Sequence, residues 1–371
     1  MIAARVLVSG VVLSQPMGGV RRHNAELLPR AAALLERAGG SLALLEGREG
    51  LAFELPASVE RIPSEVPAGP PLRRAVLEGR ALDRALREAA AAGRPFALVH
   101  TAHFPVPRGP RAQGVPFTVT VHDLRSLALE HTPFSRRLLA RGVIGGALRR
   151  AAGVFTVSED VRRRIVRDLR VPEAKVRVVP NAADHLEPLP RAARAGAPLL
   201  SVGHLEPRKN LALLLEALAL DPGLPDLELA GRAKGEEGER LAALARERGV
   251  AGRVRFLGPV DDQRLRELYA RAACVVLPSR LEGFGIPALE AQCAGAPLAV
   301  SRAGALVEVA GEDVPSFDPD DAAGCARAIR AALETPERLL AERARRAARF
   351  TWDASAELWV RGWEAALSFP R

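Results

Sequence analysis

The sequence has little cysteine, little lysine and no long apolar run, and each shortage closes off a class of function. Its three cysteines, Cys274, Cys293 and Cys325, are an odd number without a close pair. They offer neither a disulfide framework nor a zinc-ligand spacing, and read as small buried residues. No apolar run reaches the roughly 18 residues that a membrane-spanning helix needs. The N-terminus, Met1 to Val8, goes straight into a strand pattern and lacks the basic, apolar and small-residue segments of a signal peptide. That pattern makes the cytoplasm the expected compartment. Helix-turn-helix, zinc-finger and aromatic–basic signatures are missing, so nucleic acid is not an expected partner. Neither a Walker-type phosphate loop, nor a nucleophile elbow, nor a His/Cys/Asp cluster of metal-ligand spacing occurs.

What remains is a globular composition. The chain has 371 residues, 48 % of them hydrophobic. That length suits two domains of about 150 to 200 residues each. The formal charge is +9, carried almost wholly by arginine; lysine occurs only at Lys175, Lys209 and Lys234. Such a balance favours anionic partners, phosphates among them.

Two stretches alternate apolar strand patterns with helix patterns. In the first, strands are expected at Arg5 to Val11, Ser41 to Leu45, Ser58 to Ile62, Phe96 to His100, Phe117 to Val121, Gly153 to Val157 and Val176 to Val179. In the second they are expected at Leu199 to Gly203, Leu227 to Ala230, Val254 to Leu257, Cys274 to Leu277 and Leu298 to Ser301. Continuous apolar strands joined by helices imply parallel sheets covered on both faces. The fold class is therefore α/β, two Rossmann-like domains whose sheets face a central cleft. The boundaries read as residues 1–184, a Pro/Ala-rich linker 185–198, residues 199–350 and a final helix 351–371 packing back on the first domain. Trp352, Trp359 and Trp363 share one face of that helix, as a docking stripe would.

Ligands of open α/β sheets bind beyond the carboxyl ends of the strands, and four segments there carry chemistry. The first is Ser279 to Glu290, which holds Glu282, Gly283, Phe284, Gly285, Pro287 and Glu290. Its glycines allow close backbone approach, and Pro287 suits a helix start. The unpaired amides and positive dipole of that start suit a pyrophosphate or sugar hydroxyls. Glu282 and Glu290 can each accept hydrogen bonds from a polyol; a capped helix with acidic residues in its first turns reads equally well. The second is Gly203-His204-Leu205-Glu206-Pro207-Arg208-Lys209-Asn210. Arg208 and Lys209 could clamp a diphosphate, one as a fork and one as a point charge, or form a solvated basic turn. The third, Gly18-Gly19, is weak evidence of a phosphate or acceptor contact. The fourth, His122-Asp123, could contact a sugar and orient a hydroxyl, or simply end a strand. Asp318-Pro319-Asp320 reads as turn and cap chemistry.

Taken in order, these segments resemble the retaining GT-B glycosyltransferases with a Glu-x7-Glu motif, the group 1 or family 4 type. Glu282 to Glu290 matches that motif, and Glu206-Pro207-Arg208-Lys209-Asn210 matches the phosphate strand-loop. Gly18-Gly19-Val20, His122-Asp123, Thr156 to Glu159 and Val179-Pro180-Asn181 match the first-domain markers. The resemblance implies that Glu290 binds ribose hydroxyls. It implies that Glu282 and the amides of Gly283, Phe284 and Gly285 hold the donor sugar. Arg208 and Lys209 would neutralise the leaving diphosphate, His122 would lie near the anomeric centre, and Gly258-Pro259-Val260 would lie by the base. No metal or other cofactor is implied. His204 stands where many relatives carry arginine, so Arg208 either carries the charge alone or is joined by the imidazole.

Val121-His122-Asp123-Leu124 together with Glu206-Pro207-Arg208-Lys209-Asn210 resembles the pattern of bacterial mannosyltransferases of polysaccharide assembly. GDP-mannose is accordingly the expected donor, with UDP-sugars as the alternative, and a saccharide or lipid-linked acceptor. Arg136, Arg137, Arg141, Arg149 and Arg150 alternate with apolar residues on one helix, which would suit a peripheral contact with an anionic membrane or an ordinary surface. The rival functions are a sugar-nucleotide epimerase and a non-catalytic nucleotide-sugar-binding protein.

Overall fold

The computed structural model describes residues 3–14, 18–103, 114–124, 134–193 and 196–368, with the side chains of 134–140 left aside. The chain divides into two compact units, Met1–Asn181 with Trp352–Arg371 and Ala182–Thr351.

The first unit is built on strands β1 (Arg5–Ser9), β2 (Ser41–Leu45), β3 (Glu60–Ile62), β4 (Leu98–Thr101), β5 (Phe117–Val121), β6 (Gly153–Thr156) and β7 (Val176–Val178). They pair in parallel in the order β3-β2-β1-β4-β5-β6-β7. Helices α1 (Gly19–Arg37), α2 (Pro71–Ala91), α3 (Phe134–Arg150) and α4 (Glu159–Leu169) make crossovers. β4, β5 and β6 are buried at every residue, their polar side chains His100, Thr101, Thr118, Thr120 and Thr156 included. The Ser158 side chain accepts the Val161 amide at 3.2 Å and starts α4. The order reverses between β1 and β4, so the loops after these strands flank a topological switch point.

The second unit has β8 (Leu199–Val202), β9 (Leu227–Ala230), β10 (Val254–Gly258), β11 (Cys274–Leu277), β12 (Leu298–Ser301) and β13 (Ser316–Phe317). Their order is β10-β9-β8-β11-β12-β13, again parallel, with the switch point between β8 and β11. Around them lie α5 (Leu211–Leu220), α6 (Glu237–Glu247), α7 (Asp262–Arg271), α8 (Ile286–Cys293), α9 (Leu306–Ala310), α10 (Ala322–Leu333) and α11 (Glu337–Ala347).

Several expectations shift. The first strand stops at Ser9, because residues 11–14 form turns rather than continuing the run. The third begins at Glu60, and β13 is an edge strand of two residues, too short for any periodicity to announce. Described residues of the expected linker, 185–198, make contacts of their own. Arg191 donates to the carbonyl oxygens of Tyr269, Ala270 and Ala272 at 2.7 to 3.0 Å, and the Ala192 amide reaches Ala270 O at 2.9 Å. Those carbonyls lie at the C-terminal end of α7, where helical partners run out. Cys274 and Cys325 are buried as expected, but Cys293 is only half-buried. Burial pushes all three thiols up, Cys293 to about 11. Asp318 accepts the Asp320 amide at 2.9 Å, a turn contact, and Asp321 caps α10. Of the basic helix, Arg136 and Arg137 lie outside the described side chains, whereas Arg141, Arg149 and Arg150 are exposed. Among the described residues no helix is long and apolar enough to cross a membrane.

The last helix, α12 (Trp352–Ser368), belongs to the first unit and packs on α1 and β6. Trp352, Trp359 and Trp363 are fully buried. The Trp363 indole N–H reaches His100 Nδ1 at 3.3 Å, so the stripe docks by one polar contact as well as by area. Gly362 sits where a Cβ would stand 2.1 Å from the Phe155 ring of β6. Glycine is therefore a packing requirement here, stronger than the roughly 1 kcal/mol that alanine gains by helix propensity. Gly362→Ala is expected to destabilise the protein by about 1–3 kcal/mol. Urea denaturation checks this; a more stable variant would mean that α12 does not approach β6 this closely.

Candidate functional site

The loops after β8 and β11 meet at the switch point of the second unit. After β8 the chain passes Gly203, whose φ of 138° lies in the region that favours glycine. A Cβ there would come 3.2 Å from Lys209 Cε. The chain then tightens into a 3-10 turn, Pro207–Lys209, closed by Asn210 in the left-handed conformation. The Asn210 side-chain amide donates to Pro278 O at 3.1 Å and Pro319 O at 2.8 Å. The Arg280 amide donates to Arg208 O at 2.8 Å, locking the two loops together.

Glu282 is the centre of the cluster. Its Oε1 accepts from Lys209 Nζ at 2.5 Å and from Ser279 Oγ at 2.8 Å. Its Oε2 lies 3.2 Å from Arg208, which also donates to Leu281 O. Arg208 reaches Glu206 Oε1 at 2.6 Å, and Lys234 holds Glu206 Oε2 at 3.0 Å. Burial would raise the Glu282 carboxyl, but the Lys209 and Arg208 charges outweigh it and hold the group below its usual value. Glu206 behaves alike under Arg208 and Lys234. Three cations against two carboxylates leave one positive charge in excess, beside polar hydrogens that a second anion could claim. Burial, and then Lys234, lower the His204 imidazole below its ordinary value.

The glycines are structural parts of this site. Gly285, at φ 97°, caps α8, and a Cβ there would meet Leu306 Cδ2 at 2.6 Å. Phe284 is buried and stacks edge-on to Phe350 at 6.2 Å. Gly304, which the motif reading overlooks, lies where a Cβ would meet the Glu282 carbonyl at 2.2 Å.

Glu290, on α8, has a separate setting. Tyr269 Oη donates to its Oε2 at 2.6 Å, and His185 Nε2 lies 3.1 Å from Oε1. Burial and then Glu290 push the Tyr269 phenol well above its usual value, so it remains a donor. Neither Tyr269 nor His185 carries a motif; only their tertiary contact with Glu290 marks them. Val260 is half-buried in the connection from β10 to α7.

Gly18, Gly19, His122 and Asp123 belong to the first unit. Gly18 precedes α1 with φ 49°, and Gly19 is its first residue. His122 and Asp123 follow β5, and the ring of His122 stands 4.8 Å from that of His23, edge to face. Burial, then His23, push the His122 imidazole well below its ordinary value. Among the described residues no group of three His, Cys, Asp or Glu is arranged to hold a metal ion.

Residues 196–350 match the family of glycosyl transferases group 1, and residues 17–185 match glycosyltransferase family 4. The chain belongs to the group 1 glycosyltransferases. This glycosyltransferase is 39 % identical over 183 residues to a D-inositol 3-phosphate glycosyltransferase of Geodermatophilus obscurus, a match covering 45 % of this chain and 40 % of the relative. It is 33 % identical over 220 residues to the O-antigen chain mannosyltransferase B of Escherichia coli, covering 54 % and 57 %. The chain thus spans about half the length of these relatives. Sucrose-phosphate synthase of Thermosynechococcus elongatus has the same fold, with a TM-score of 0.78 at 21 % identity over 97 % of this chain and 98 % of that one. The architecture is GT-B.

Removing Lys209 leaves Glu282 buried with Arg208 as its remaining cation. Lys209→Met is expected to cost about 1–3 kcal/mol near neutral pH. The folded value of Glu282 lies below its usual 4.5, so the stabilisation is fully present above that value. It is lost as pH falls through the lower, folded value. Denaturation of parent and variant from pH 7 to pH 3 should show the gap closing. A gap that stays constant would disprove the pairing.

Proposed function

We propose that this chain is a retaining glycosyltransferase that moves a hexose from a nucleotide-sugar donor to a saccharide or lipid-linked acceptor. The observation that carries the reading is the convergence of Arg208, Lys209 and Glu282 at a sheet switch point, with Glu290 held ready on the adjoining helix. In this reading the diphosphate of the donor competes with Glu282 for the N–H groups of Arg208 and Lys209. Glu282, so released, accepts from sugar hydroxyls, and Glu290 from the ribose. The anomeric carbon–oxygen bond to the diphosphate breaks and the bond to the acceptor oxygen forms on the same face. The acceptor proton passes to the departing phosphate oxygen. The protein contributes position and preorganised positive charge.

Mannose from GDP-mannose is the donor we propose, on the strength of the motif pattern and the mannosyltransferase relative. The cytoplasm is the proposed compartment. Peripheral contact with an anionic membrane would use the exposed Arg141, Arg149 and Arg150 of α3.

Thermal unfolding against GDP, GDP-mannose, UDP and UDP-glucose tests the donor. At a concentration about 100 times its dissociation constant, a ligand of the native state adds about 2.7 kcal/mol. GDP-mannose is expected to raise Tm where the uridine ligands do not; a rise with UDP-glucose alone would replace the donor. Glu290→Ala is expected to weaken donor binding at least about tenfold, a loss of roughly 1.4 kcal/mol. Calorimetry showing unchanged affinity would remove Glu290 from the nucleotide site.

A further inference from the structure

The first unit buries imidazoles that no motif accounts for. His23, on the second turn of α1, is 1 % exposed. Its Nδ1 stands 2.8 Å from Asn181 Oδ1, just after β7, and Asn181 is itself buried. Burial first, against the Asn181 hydrogen bond, pushes its imidazole down to about 4. The ring is therefore neutral at ordinary pH, and Nδ1–H is the donor to Asn181. Two indoles of α12 wall it in edge-on, Trp352 at 6.2 Å and Trp359 at 6.1 Å. Its remaining face meets the His122 ring at 4.8 Å and 90°.

His122 is held from the other side by a hydrogen bond to the backbone of Ala102, after β4. That bond favours the charged ring, so the imidazole donates and the carbonyl accepts. His122 Nε2 has no hydrogen-bond partner among the described residues. The bond to Ala102 is therefore made by Nδ1–H, and Nε2 keeps its lone pair. Two contacts thus define one rotamer and one tautomer: the Ala102 carbonyl fixes the proton, and the His23 ring, packed at right angles, restricts rotation.

We infer that His23, tied to Asn181 and walled by Trp352 and Trp359, is a positioning residue that holds His122 in a single tautomer, whose buried Nε2, unpaired among the described residues, is the acceptor for a hydroxyl. The inference concerns the arrangement of His122; that arrangement matters for turnover only if the proposed glycosyl transfer is right. It gives the terminal helix a part in catalysis beyond docking, because its indoles hold the residue that orients the imidazole.

Two readouts separate the inference from that underlying reading. Nitrogen NMR of protein with 15N-labelled histidine reports tautomer directly, with His122 assigned by His122→Ala. The parent is expected to show His122 with Nδ1 protonated and Nε2 bare near neutral pH. In His23→Ala, and in Asn181→Ala should the former fail to fold, the two nitrogen shifts should move toward averaged values. Unchanged His122 shifts in a folded variant overturn the inference whatever the activity.

The second readout is release of nucleoside diphosphate from GDP-mannose, or from whichever of the four ligands raises Tm. His23→Phe keeps an aromatic wall but loses the tie to Asn181. It is expected to lower kcat about tenfold with donor KM within about twofold, since small misplacements of a reacting group cost that much. A purely structural role would lower Tm and leave kcat of the folded protein unchanged, and that result also overturns the inference. Should His122→Ala keep full turnover, the proposed role of His122 in transfer fails, and the NMR result still stands by itself.

Discussion

A buried carboxylate has to be paired, and Glu282 is where this chain meets that demand. The loops after β8 and β11 bring it Lys209, Arg208 and Ser279. Desolvation alone would favour a neutral acid; two cations within hydrogen-bond reach keep it ionised. The same pairing keeps Arg208 and Lys209 from repelling each other and fixes their heads at the carboxyl edge of the sheet. The glycine requirements around it follow: Gly203 lets Lys209 approach, Gly285 turns the chain into α8, and Gly304 passes close to the Glu282 backbone. An anion that displaces Glu282 from these cations frees a carboxylate at the same moment, so binding and site assembly are one exchange of partners.

The first unit solves a different problem with neutral groups. Beside ion pairs such as Glu46 with Arg61, it buries three imidazoles, and burial lowers the pKa of His23, His100 and His122. Polar contacts orient them: Asn181 for His23, Thr118, Thr120 and Trp363 for His100, and the Ala102 backbone for His122. Aromatic walls supply the remaining restraint, and α12 supplies most of those walls. Its Gly362 is consistent with this, because close approach to β6 is what seats the indoles against the histidines.

Much of this was legible beforehand, for physical reasons. Short runs rich in aliphatic and β-branched residues, bounded by loop residues, made β2, β5, β9, β11 and β12 readable to the residue. β13, with two residues, and β3, with two of its three residues exposed, left too little signal. Residues 185–198 read as a linker from their proline and alanine, and the backbone carbonyls that Arg191 satisfies lie 78 to 81 residues further along, beyond the reach of any local pattern. His204 stood open as a charge donor; burial and then Lys234 lower its imidazole, against the opposing pull of Glu206.

The order of apolar runs and the spacing of Gly, Pro, Glu, Arg and Lys by themselves determined the α/β class, the two units and the segments at the strand ends. These are local properties, written in neighbouring residues. Only the tertiary structure decided which charges meet, that Tyr269 and His185 serve Glu290, that Glu206 and Lys234 complete the basic cluster, and that the last helix cages His23. Those partners lie between about 20 and more than 300 residues apart. Their pairing depends on where the sheets reverse order, and that is set by packing of the whole chain rather than by any stretch of it.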